Sequence, residues 1–255
     1  MIRFFPLQGI LLILLSLTSL EASDPLLSGD RLYTLRENIE NVHKAKAIYL
    51  QALDKNPAAT LKVELLWRIS MTYYYIGHRE SQTTKKKDSF KRGIDHGEKC
   101  LEISRSLKTP MAQCYFWSAT NLALYHKEIS TLSLAFNLSK LFDYYERAGK
   151  LDPTYAHGGP YRMLAILYQK TPGFFGGNKQ KALEYITKAI ELAANEPMNY
   201  FVKAELLKEK SHSEQADSPF HNFIRTYLER RSKMNFEYYE SRRADRKIMK
   251  WAPKS

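Results

Sequence analysis

The chain has 255 residues, a formal net charge of +12 and 44% hydrophobic residues, enough for one large domain or a short solenoid. That apolar content excludes a wholly disordered chain, and 11 Gly with 10 Pro are too few for a turn-rich β-sandwich. Leu, Ala, Lys and Glu recur instead at helical spacing.

The first 23 residues stand apart. Arg3 gives a short positive start, residues 10–20 (ILLILLSLTSL) are apolar, and Ala22 and Ser23 are small. This reads as a secretory signal peptide cut near Ala22. The apolar run is shorter than the roughly 20 residues a spanning helix needs. An uncleaved anchor beginning at Phe4 is the other reading. No cysteine lies near the cut, so no lipid is expected there, and the expected location is the periplasm or cell envelope.

A repeat domain is expected over residues 24–215. One helix carries Ala45, Tyr49, Ala52 and then Pro57, a small-x3-aromatic-x2-small-x4-Pro spacing. Gly93, Gly97 and Cys100 form a weaker copy. Leu141, Tyr145, Ala148 and Pro153 form a third, and Ala182, Ile186 and Ala189 a fourth without the proline. Places four and seven apart share a helical face. Small residues there admit a neighbouring helix, the aromatic fills the groove, and the proline ends the helix. A partner helix is expected before each later copy, over residues 63–77, 111–126 and 161–168, with a fourth over 197–210. The pattern predicts an all-α, tetratricopeptide-like helical-repeat solenoid of about four helix pairs plus a C-terminal helix.

Two connections lengthen the period. Residues 78–87 (HRESQTTKKK) are polar and read as a solvated loop. Residues 171–178 (TPGFFGGN) place Phe174 and Phe175 among turn residues, either tucked back onto the solenoid or presenting an apolar surface. Cys100 and Cys114 sit on consecutive helices either side of a turn near Pro110. They either form a disulfide or remain two buried thiols.

Beyond residue 215 the sequence predicts C-terminal helices with a basic tail. Asp217-Ser218-Pro219 is a helix start, a capping hydroxyl followed by Pro, for a helix running to about Lys233. A final basic helix is expected over 236–251. Residues 222–255 hold ten Lys/Arg and four Asp/Glu, a net +6 and half the excess charge. The stretch reads as a solvated helical face, or as a contact for an anionic lipid or wall polymer.

The segments LLWRISMTYYYIG, GIDHGEKCLEIS, YFWSATNL, LDPTYAHGGPYRMLAILYQKTPGFFGG and KALEYITKAIELAANEP resemble the tetratricopeptide-like T component of tripartite ATP-independent periplasmic (TRAP) transporters. The resemblance covers roughly residues 30–210. Its most specific part is Gly158-Gly159-Pro160 followed by Tyr161 and Arg162, then the TPGFFGG loop. It implies an exported α-helical protein that associates with a periplasmic substrate-binding protein. It also implies a small hydrophobic ligand in a cleft or pore formed by the helices and their oligomer. Members are often lipoproteins, whereas this chain has no lipobox cysteine, so any membrane contact is expected to be peripheral.

No zinc spacing, phosphate loop, nucleophile elbow or dinucleotide fingerprint occurs, so neither catalysis, a metal nor a cofactor is expected. Export makes nucleic acid a poor partner. Binding fits better, since solenoids offer a concave face made by first helices. Trp67, Tyr74, Tyr115, Trp117, Tyr125, Tyr161 and Tyr168 all fall on such helices, serving either core packing or ligand contact. The candidate binding residues are Trp117, Tyr125, Gly158, Gly159, Tyr161, Arg162, Phe174 and Phe175. Arg162 is expected either to grip a ligand carboxylate or to pair with a nearby Asp or Glu.

Overall fold

The computed structural model describes residues 24–210, 218–237 and 239–252. The expected signal peptide lies outside the described residues. The described residues are helical throughout: α1 (Pro25–Thr34), α2 (Ile39–Asp54), α3 (Ala59–Arg79), α4 (Thr83–Ser106), α5 (Ala112–Ile129), α6 (Thr131–Phe136), α7 (Leu138–Leu151), α8 (Tyr155–Lys170), α9 (Lys179–Leu192), α10 (Pro197–Lys210), α11 (Pro219–Arg230) and α12 (Tyr239–Met249). Short 3-10 turns follow α8 (Gly173–Phe175) and α11 (Arg231–Lys233).

The small-residue signature marks buried faces. Ala45, Tyr49, Leu141, Tyr145, Ala148, Ala182, Ile186 and Ala189 are fully buried. A Cβ on Gly93 would meet the Asn121 side chain at 2.3 Å, and one on Gly97 would meet Ser118 Oγ at 2.4 Å. α4 therefore lies against α5 at a separation that only glycine allows. Asn121 uses the approach by donating to the carbonyl of Ser70 at 3.0 Å, while Ser70 donates to the carbonyl of Gly93 at 2.7 Å. Three successive helices are thus tied by buried polar bonds.

The helices pair antiparallel, α3 with α4, α5 with α7 and α8 with α9. First helices of successive pairs touch, α3 with α5, α5 with α8 and α8 with α10. The second helices α2, α4, α7 and α9 make no comparable contact with one another. First helices therefore form the inner side of the curve.

Cys100 on α4 and Cys114 on α5 form a disulfide, with Cα atoms 5.5 Å apart and both side chains fully buried. The helix start at Ser218 is as read: its hydroxyl accepts from the His221 amide at 3.3 Å, and Pro219 opens α11. The regular helix ends at Arg230, and the remaining turn to Lys233 is 3-10. Two elements have no counterpart in the sequence reading. α1 is capped by the Asp24 carboxylate, which accepts from Leu26 N at 2.9 Å. α6 is a six-residue insertion capped by the Ser130 hydroxyl, which accepts from Ser133 N at 3.0 Å.

The C-terminal basic stretch is not a free tail. α12 buries Ser241, Ala244, Asp245 and Ile248 on one face and exposes Arg243, Arg246 and Lys247 on the other. It packs on α10 and reaches the N-terminal end of the chain. The Arg36 guanidinium binds the Glu240 carboxylate at 2.8 Å, Arg242 pairs with Glu37, and Ser241 Oγ donates to Glu196 at 2.9 Å. The two ends of the described fold are clasped together.

Candidate ligand and partner face

The inner side is built from first-helix side chains. Tyr74 on α3 lies 5.3 Å from the Trp117 ring on α5, and Trp117 Nε1 donates to Tyr155 OH on α8 at 2.6 Å. Burial pushes the Tyr74 hydroxyl up to about 12, with the Glu240 charge adding and Arg162 and Arg243 opposing. Arg36, bound to Glu240 of α12, lies over the Tyr33 ring, which packs on Tyr75 of α3, so α12 is tied to the α1–α2 turn beside α3.

The Gly158-Gly159-Pro160 segment is a backbone device. Ala156, His157 and Gly158 hold φ of 49°, 57° and 73°, three successive left-handed residues, so the regular part of α8 begins after Gly158. Left-handed backbone costs a residue bearing a Cβ roughly 1–2 kcal/mol. Hydrogen bonds from two side chains hold it. Arg162 Nη2 donates to Ala156 O at 3.2 Å and Nη1 to His157 O at 3.3 Å. Asn199 Nδ2 on α10 donates to His157 O at 3.1 Å and to Ala189 O at 2.9 Å. Arg162 Nη1 also donates to Asn199 Oδ1 at 2.7 Å.

Arg162 is engaged with two backbone carbonyls and the Asn199 amide oxygen rather than paired with a nearby Asp or Glu. Burial above all pulls its pKa below the usual guanidinium range, against the opposing fields of Glu196, Tyr74 and Glu240. Gly158 sits where a Cβ would come within 2.9 Å of Ala189 O, and Gly159 where one would press on Ala156 and Phe116.

The other candidates separate. Tyr161 faces the core, donating its hydroxyl to Gly149 O at 3.0 Å and stacking on Tyr185. Trp117 is buried in the inner aromatic row, and Tyr125 lies two turns further along α5, half-buried. Phe174 and Phe175 do not tuck back. They are 82% and 45% exposed at the end of α8, away from the inner row. The structure joins Trp117 to Tyr155 and Arg162 to Asn199, and ties Glu240 to Arg36; sequence reading left Tyr155, Asn199 and Glu240 out of the site. Asn199 is a single amide between Met198 and Tyr200 on α10, and Glu240 sits on a helix 204 residues from its partner Arg36. Neither position carries a local signal.

These features define a helical-repeat protein curved around an aromatic inner face and clasped end to end. A family model described as TRAP transporter T-component matches residues 43–234, and the chain belongs to that family. No match was found among curated proteins. The matched region holds the left-handed junction, the inner aromatic row and the disulfide. Arg36 and Glu240 lie outside it. Among the described residues no helix is long and apolar enough to cross a membrane.

Proposed function

We propose that this chain is the exported scaffold of a TRAP-type transport system, docking a substrate-binding protein and accommodating a small apolar molecule along its inner face. The family match over residues 43–234 carries this reading, because the T component is by name one part of a multi-component transporter. The inner row of Tyr74, Trp117 and Tyr155 supports it by offering aromatic contact area at small rotamer cost. The N-terminal sequence and the buried Cys100–Cys114 disulfide support an oxidising, exported location.

The test is affinity capture of the tagged protein from its own cell envelope, followed by native mass spectrometry. An exported substrate-binding protein eluting at fixed stoichiometry, or a small apolar adduct lost on Trp117→Ala substitution, is the expected result. A bare chain without either would count against the proposal.

The alternative is an envelope interaction module whose basic C-terminal stretch binds anionic lipid or wall polymer, and the exposed Arg243, Arg246 and Lys247 on α12 are the residues it would use. The basic stretch is folded: Asp245 binds Arg231 at 2.8 Å and accepts from Tyr227 OH at 2.8 Å.

A further inference from the structure

We propose that the edge of the solenoid formed by the C-terminal ends of α5 and α8 is a docking surface for an anionic lipid membrane. The inference is independent of the partner and ligand readings above.

Antiparallel pairing puts the C-terminal ends of α3, α5 and α8 and the N-terminal ends of α4, α7 and α9 on one edge. Besides Leu35 in the turn after α1, the exposed large apolar side chains described on this edge come from two separately built elements. The first is the α5–α6 junction, with Ile129 47%, Leu132 58% and Phe136 80% exposed. The second is the turn after α8, with Phe174 and Phe175. Scattered exposed apolar residues need no explanation, but five on two elements of one edge do.

Both elements are held so that these side chains face outward. α6 is fixed by His126 Nδ1 against Ser133 Oγ at 2.7 Å and by Asn137 Nδ2 donating to Ser133 O at 2.9 Å. Leu134 and Ala135 pack on the core, leaving Leu132 and Phe136, one helical turn apart, on the outer face. The second turn is closed by the Phe175 and Gly177 amides donating to Pro172 O at 2.9 and 3.1 Å, and by the Asn178 amide donating to Tyr168 O at 2.9 Å. Gly176 adopts φ +95°, and a Cβ on Gly177 would overlap Thr171 O. The geometry that builds this turn is the geometry that keeps the phenylalanines in solvent.

The flanking charge identifies the occupant. Lys85, Lys127 and Lys179 are exposed at the ends of α4, α5 and α9 on the same edge. The carboxylates there are engaged: Glu128 with Lys86 at 3.5 Å, Asp88 with Arg92 at 2.8 Å, and Glu80 with the Ser81 and Gln82 amides. Aromatic and aliphatic wedges ringed by lysine are complementary to an interface with acyl chains below and anionic headgroups at its surface.

The test uses the chain from residue 24 onward, which contains every described helix, so that the apolar N-terminal segment cannot cause binding. Co-sedimentation is measured with vesicles of phosphatidylcholine alone and of phosphatidylcholine with phosphatidylglycerol. The expected result is binding to the anionic vesicles only, weakened by salt, and reduced about tenfold in L132S/F136S/F174S/F175S with helicity unchanged. Should that variant fail to fold, F174S/F175S alone, in an exposed turn, is expected to lose a smaller but measurable share. Equal binding by wild type and variant, or no vesicle binding, overturns the proposal. So does a variant whose only change is loss of self-association or of a captured protein.

Discussion

Arg162 and Asn199 converge on one oxygen. Both donate to the carbonyl of His157, at 3.3 and 3.1 Å, and they bond to each other at 2.7 Å. A side chain from α8 and one from α10 thus hold the left-handed turn that lets the chain enter α8 from Asp152. Asn199→Ala removes the shared donor and strips Arg162 of an acceptor. It is expected to cost about 3 kcal/mol or more, read from urea unfolding, because buried carbonyls and a buried charge lose partners together. Arg162→Lys should not rescue, since one ammonium cannot reproduce the fork. A loss under about 1 kcal/mol would mean that the turn holds itself.

The Cys100–Cys114 disulfide closes a loop of sequence separation 14. A double Cys→Ala variant is expected to lose about 3 kcal/mol relative to the oxidised protein, by restoring that loop's entropy to the unfolded chain. Because both cysteines are fully buried, added reductant should act on wild type only at the rate of opening. Immediate reduction in native buffer would contradict the burial.

Stability is expected to fall as pH drops below about 6.5. Burial is the leading cause that lowers the pKa of His78, His96 and His126. Arg243 and Lys86 add to it at His78 and Lys140 at His126, while Glu240 and, at His96, the Arg92 carbonyl oppose it. Each folded-state value lies below the unfolded one. Between the two the unfolded chain binds the proton and the folded chain does not, so acid favours unfolding in that window. Denaturant midpoints at pH 7.5, 6.5 and 5.5 should decline in that order. A flat series would place these rings in contact with water.

The clasp between Arg36 and Glu240 buries one partner more than the other, with side chains 11% and 38% exposed. A double-mutant cycle with Arg36→Ala and Glu240→Ala is expected to give a coupling of about 1 kcal/mol that shrinks in salt. Hydrogen exchange should rise in α12 and in the turn between α1 and α2 together. Faster exchange at only one of them would show that the ends are held separately.

The repeat pattern was legible because it is local. Ala45, Tyr49 and their equivalents recur at positions fixed by the helical turn, and each is buried as the spacing requires. α6 was not legible: six residues with alternating hydroxyls carry no period, and His126 and Ser133 position it through a bond visible only in three dimensions. The left-handed turn was half legible. Gly158 signalled a special backbone, but Ala156 and His157 share its conformation without being glycine, since Arg162 and Asn199 supply what their sequence lacks. Phe174 and Phe175 posed a choice that composition cannot settle, because exposure depends on whether the turn has room to fold inward.

The bond between Arg36 and Glu240 ties the turn after α1 to the last described helix. An open solenoid can gain or lose a helix pair at little cost beyond one interface. Here each added pair would carry Glu240 about 10 Å further from Arg36 and turn it through the superhelical step, beyond the reach of either side chain. Lengthening by duplication therefore breaks the clasp before it builds anything new. For this chain a change in the count of helix pairs would register first at the contact between the α1–α2 turn and α12.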